Sequence, residues 1–173
     1  MWRTFGVQTL NGSAQPILGD VLTAAMTMTQ SGTEAVLTVA STANNKYQRG
    51  DRLVLDPLQT NQDIVLVTDI LSSTTLLVGS QNAKLQAHAN GAIVQLAISH
   101  ADVIVQASNT NGNPLYLGAD NTVTNAGVGN VIAELFAGGS FSDLGNHNNA
   151  FMTSDMWMAG TNTQSVIVAV RVV

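Results

Sequence analysis

Apolar and polar positions alternate along this chain in short blocks of strand length. Between Gln48 and Leu96 three apolar runs follow one another: Leu53–Leu55, Ile64–Ile70 and Leu76–Val78. A fourth, Ile93–Ile98, closes the stretch. Each run is rich in Val, Ile and Leu. Turn chemistry separates them: Arg49-Gly50-Asp51, Asp56-Pro57, Ser72-Ser73-Thr74 and Asn90-Gly91. Short β-rich runs at a spacing of roughly ten residues predict an antiparallel meander closing into a small barrel or sandwich. The Asp residues that bracket the runs (Asp51, Asp56, Asp63 and Asp69) read as turn residues, because Asp side chains bond nearby backbone N–H groups.

The flanking regions carry the same period. Ala35–Ala40 is a strand, and the run Ser41–Asn45 after it is loop. Beyond His100 the pattern restarts with Val103–Ala107, Leu115–Gly118, Val131–Phe136 and Met156–Gly160. Loops are expected between them, including Ser140–Asn149. Val166–Val173 is a near-continuous apolar strand, expected to lie centrally or at a subunit interface, since a bare edge of this kind invites aggregation. The first thirty residues differ. They hold two charges, Arg3 and Asp20, and the spacing of Ile17, Leu18, Val21, Leu22 and Ala25 allows one short helix or turn. Thr27-Met28-Thr29 reads as extended.

These elements predict an all-β fold with under about 15% helix, against the usual 30–35%. The expected architecture is an antiparallel β-barrel or sandwich, meander or jelly-roll-like, as one body or as two abutting β-domains. The expected boundaries are an extended N-terminal arm at 1–30, a central barrel-like domain at 31–100 and a C-terminal sandwich at 101–173. The arm either packs on its own domain or reaches onto a neighbouring subunit. Trp2, Phe5, Ile17, Leu18, Val21 and Leu22 are its anchors and the candidate partner-interface residues.

Composition narrows the function. Of 173 residues six are basic and eleven acidic, so charged residues make up 10%, against a usual value of about 25%. Asn, Gln, Ser, Thr and Gly take their place, and a neutral polar surface desolvates at lower cost than a charged one. Such a surface suits permanent contact with other subunits. The net charge of −5 and the scarcity of Lys and Arg argue against nucleic acid as a partner. Lys46, Arg49 and Arg52 fall together at one turn, which either solvates that turn or meets an acidic partner. No secretory leader is expected at the start, and no apolar run approaches the length of a membrane-spanning helix.

Candidate chemistry is sparse. The chain has no cysteine, which excludes disulfides and thiolate sites. His88, His100 and His147 lie 12 and 47 residues apart, matching no zinc spacing. No calcium-loop, nucleophile-elbow or phosphate-loop pattern occurs. Neither catalytic nor metal residues are assigned, no cofactor is expected, and the chain is not read as an enzyme. Trp157 and Tyr116 suit a core or an interface better than a sugar-stacking site.

Several stretches resemble tailed-bacteriophage virion proteins. The central ones are AVLTVASTANNKYQRGDRLVLD, IVLVTDILSSTTLLVGS and AHANGAIVQLAI, spanning Ala35–Ile98. In the C-terminal part, VIVQASNTNGNPLYLGADNTVT and SDMWMAGTNTQSVIVAVRVV are similar to β-sandwich domains of phage structural proteins. The resemblance implies a structural virion protein, best placed as a cement or decoration protein on the capsid surface. Its implied partners are the major capsid protein and two further copies in a homotrimer, with neither nucleic acid nor membrane. A head–tail connector or tail/baseplate protein is the alternative, and a carbohydrate- or receptor-binding module the second.

Overall fold

The computed structural model describes residues 1–27, 33–40, 46–81, 86–144, 151–153 and 156–172. Met28 and Thr29 of the expected extended run, the loop at 41–45 and His147 lie outside them. The first strands in chain order are β1 (Trp2–Thr9), β2 (Gln15–Pro16), β3 (Gly19–Val21), β4 (Met26–Thr27) and β5 (Glu34–Thr38). Next come β6 (Arg52–Leu55), β7 (Asp63–Ile70), β8 (Thr75–Ser80), β9 (Ala87–His88) and β10 (Ile93–Ala97). The last seven are β11 (Ser99–Ala107), β12 (Leu115–Gly118), β13 (Val131–Leu135), β14 (Ser140–Leu144), β15 (Phe151–Met152), β16 (Trp157–Ala159) and β17 (Ser165–Val172). All pairings are antiparallel and the described residues contain no α-helix, so the fold is all-β. Ser140–Leu144, expected as loop, is a strand on β11.

The chain divides into two compact units, one built from 1–18 together with 98–173, the other from 19–97. Of the two placements open to the expected arm, its first residues take the packing on their own unit. Trp2–Thr9 pairs along β17, from Trp2 opposite Arg171 to Thr9 opposite Ser165. Phe5, Leu10 and Ile17 are at most 2% exposed. The reason is energetic. A strand with alternating apolar residues gains backbone hydrogen bonds and burial of roughly 1.5–3 kcal/mol per large side chain by joining the sheet. The short helix allowed at Ile17–Ala25 is replaced by a turn, the strand β3 and a bridge at Leu22.

In the first unit, one sheet runs β1-β17-β11-β14, with β15 also on β11, and the other runs β13-β12-β16-β2. Val166–Val172 is central, as its sequence requires. Its even positions Val166, Val168 and Val170 are 0% exposed, while Ile167 on the other face is 44% exposed. Leu115, Leu117 and Met158 of the second sheet are equally buried. This is a sandwich-like arrangement.

In the second unit a six-stranded sheet runs β3-β10-β6-β7-β8-β5, and β4 and β9 form a separate ribbon. The path ends at β3 and β5, and the residues that follow these strands meet in an isolated antiparallel bridge, Leu22 opposite Val39, with the Thr23 N–H donating to the Thr38 carbonyl at 3.0 Å; the ends are joined by this bridge rather than by a continuous ladder. Leu37, Leu53, Leu55, Val65, Leu76 and Val94 form one buried face, each 0% exposed. The turns carry the expected chemistry. Gly50 and Gly91 take φ of 88° and 87°, a region that favours glycine, and Asp51 Oδ2 accepts the Gln48 N–H at 2.7 Å.

Candidate functional site

Of the nine predicted partner-interface residues, the six apolar ones separate into two groups. Phe5, Ile17, Leu18 and Leu22 are buried and cannot meet a partner. Trp2 and Val21 remain exposed, at 49% and 43%, but they belong to different units.

The basic turn does not form one patch. Lys46 Nζ donates to Asp20 Oδ2 at 2.9 Å and to the Gly19 carbonyl at 3.1 Å. Arg49 holds Asp69 Oδ1 through Nη2 at 2.7 Å and Nε at 3.0 Å. Those hydrogen bonds, and then the Ile70 N–H, keep the Asp69 carboxyl below its usual range. Arg52 alone is left exposed and without a partner among the described residues.

Next to Lys46, the Tyr47 hydroxyl donates to Asp20 Oδ2 at 3.0 Å. Burial, then the charge of Asp20, push this phenol well above the ordinary value of about 10. The sign follows directly. The folded state holds the phenolic proton more tightly than the unfolded chain does, so the contribution is complete below pH ~10 and lost as pH rises above it. The melting temperature should therefore fall more steeply above pH ~10 in the wild type than in Tyr47→Phe, by up to about 1.4 kcal/mol of stability per pH unit. Parallel alkaline melting curves for the two proteins would contradict this.

The surface best suited to a partner lies on the outer face of the five-stranded sheet. Trp2 stands opposite Arg171, and Arg171 opposite Asp102, in one cross-strand row. The next row is Thr4, Ala169 and Ile104. Arg171 and Asp102 form an ion pair, so this row presents little net charge. Farther along the face Val7 and Ile167 are 66% and 44% exposed. They line a cleft of about 440 Å³ with Gln106, Ser108, Asn109 and Ser165. The Asn111 side chain fixes one wall, accepting the Ser165 N–H and donating to the Ser165 carbonyl, both at 3.0 Å. The lining offers amides, hydroxyls and aliphatic surface. With neither His nor carboxylate there, it suits packing and neutral hydrogen bonding rather than acid–base chemistry. Sequence reading did not find this cleft. Its signal was the single polar residue, Gln106, in the run Val103–Ala107.

A second cluster was also missed. His88 is 1% exposed, with Nδ1 2.9 Å from Asp56 Oδ2 and Nε2 3.2 Å from Asp63 Oδ2. The turn between β6 and β7 makes this possible, since Asp56 takes a positive φ of 47° and Asp63 opens β7. Asn61 Nδ2 donates to Asp56 Oδ2 at 2.7 Å, and the Gln86 N–H to Asp63 Oδ2 at 3.1 Å. Both ring nitrogens therefore lie within hydrogen-bonding distance of a carboxylate oxygen. The spacings are those of hydrogen bonds and exceed metal–ligand distances of about 2.0–2.2 Å. Among the described residues, no group of three or more His, Cys, Asp and Glu is placed to hold a metal ion. With His88 and Asp63 sealed from solvent, the trio acts as an internal clasp.

Compared with protein-family models, curated proteins and solved structures, the chain finds no significant match.

Proposed function

We propose that this chain is a structural virion protein that binds the outside of a tailed-bacteriophage capsid and stabilises junctions between major capsid subunits. The observation that carries this reading is the outer face of the five-stranded sheet. It exposes Trp2, Val7 and Ile167 beside the Arg171–Asp102 pair. Such a face desolvates cheaply and gains from permanent contact with another protein. The sequence resemblance of Ala35–Ile98 to virion proteins supplies the identity of that protein, the major capsid subunit.

Co-sedimentation with purified tailed-phage heads tests the reading. The wild type should pellet with heads. Ile167→Asp, which places an unpaired carboxylate in the contact, should weaken binding at least about tenfold while leaving the melting temperature near that of the wild type. Label found only at the portal vertex or tail in electron micrographs would replace the cement role with a connector or tail role. Absence of head binding, together with quenching of Trp2 fluorescence by soluble glycans, would replace it with a carbohydrate-binding module.

A further inference from the structure

The six-stranded sheet of the second unit has a second face. Leu37, Val65, Leu76 and Val78 fill the first and are 0% exposed. Their neighbours along each strand point the other way. On that side Val36 is 53% exposed, and its cross-strand partner Leu77 is half-buried. One register row crosses five strands, ending at Ala97, which lies opposite Arg52. Glu34 lies opposite Gly79, Gly79 opposite Leu66, and Leu66 opposite Arg52. Glu34 and Arg52, at its first and fourth positions, are exposed and have no partner among the described residues. Ladder neighbours lie about 4.8 Å apart, so the two charges stand roughly 14 Å apart across the face.

We propose that this face seats a second copy of the chain around a two-fold axis running along the strands between β7 and β8. The row is its own complement. Such an axis reverses the row, which brings Glu34 over the partner's Arg52 and Leu66 over the partner's Gly79. Each pairing then occurs twice, as an isologous contact requires. The charges match and so do the shapes. A Cβ built on Gly79 would meet only Thr68 Cγ2, at 3.7 Å, so the glycine leaves a hollow open to the outside. Leu66 is the projecting side chain that fills the partner's hollow. Val36 and Leu77 extend the aliphatic contact, and the axis keeps the strands of the two sheets aligned, as in ordinary sandwich packing. An unrelated partner would have no reason to present this row in reverse. The contact is two-fold and replaces, as the expected state in solution, the three-fold group implied by the sequence resemblance. It holds or fails independently of capsid binding, because solution mass alone reads it.

Sedimentation equilibrium of the full chain over a concentration series tests it. The expected result is a monomer–dimer equilibrium. Arg52→Glu and Glu34→Arg, each alone, put like charges together twice and should raise the dissociation constant at least about tenfold. The double variant Glu34→Arg/Arg52→Glu should return it to within about threefold of wild type. Gly79→Ala, whose Cβ makes only an ordinary contact with Thr68 Cγ2, narrows the hollow and should weaken pairing at an unchanged melting temperature. A chain monomeric at every concentration overturns the proposal. So does a trimer, a dimer indifferent to both single reversals, or one that the double reversal fails to restore.

Discussion

Replacing His88 with Ala should unfold the second unit at temperatures where the wild type is intact. The ring bridges Asp56 and Asp63, and its removal leaves a cavity beside a buried carboxylate that has lost a partner. Asp63 is 0% exposed, and its Oδ1 has no hydrogen-bond partner among the described residues. The remaining oxygen would keep only the Gln86 N–H. Deleting a buried ring and leaving the oxygens it faced unpaired costs about 3–5 kcal/mol. For a body of 60–100 residues each kcal/mol shifts melting by about 4–8 °C, so a drop of more than about 12 °C is expected. Hydrogen exchange read by mass spectrometry should show protection lost within 19–97 and retained within 1–18 and 98–172. Asp63→Asn, which leaves His88 bonded to Asp56, should cost less. A His88→Ala protein melting within about 3 °C of the wild type would remove the clasp from the list of stabilising features.

The all-β class was legible because its signals are local. Val-, Ile- and Leu-rich runs ended at turn residues, and the glycines at 50 and 91 sit where a left-handed backbone is needed. Long-range partners leave no such trace. The first strand pairs with the last, so Trp2 and Arg171 meet from opposite ends of the chain, and a segment without an adjacent partner read as an arm. The helical spacing of Ile17, Leu18, Val21 and Leu22 arises where the chain passes from one unit to the other. Ile17 and Leu18 close the first stretch of one unit, Leu22 enters the interior of the other and Val21 stays outside. Ser140–Leu144 alternates as a strand does, but its Ser residues and the preceding Gly138-Gly139 favoured loop. The clasp was invisible for the same reason as the terminal pairing. Asp56 and Asp63 each make sense as turn residues, and only the folded ladder brings His88 between them. The outer-face cleft needed the fold as well, since Val7, Gln106 and Ile167 come from three strands that are neighbours only in the sheet.

Gly160→Ala should destabilise the first unit almost as severely. Gly160 is buried at the end of β16, and a Cβ there would lie 2.3 Å from Gln164 Oε1, 2.5 Å from Leu10 Cδ1 and 3.2 Å from Leu115 Cβ. The Gln164 amide cannot yield freely. It is 3% exposed, its Oε1 accepts the Thr161 N–H at 2.6 Å, and its Nε2 donates to the carbonyls of Asn113 and Pro114. Thr163 beside it already holds a positive φ of 75°. The Gln164 backbone carbonyl also accepts the Leu10 N–H at 2.8 Å, so a shifted Gln164 strains the end of β1 as well. Overpacking costs about 1–3 kcal/mol, and each buried polar group left unpaired a similar amount. A total of roughly 2–5 kcal/mol lowers the melting temperature of a unit this size by about 10 °C or more. Gly112→Ala is the control. No atom lies within 4 Å of a Cβ built there, so it should melt with the wild type or slightly above it. Equal melting temperatures for the two variants would mean that the Gln164 tether gives way at little cost. Loss of exchange protection at Leu10, Leu115 and Gln164 in Gly160→Ala alone would locate the damage at the tether.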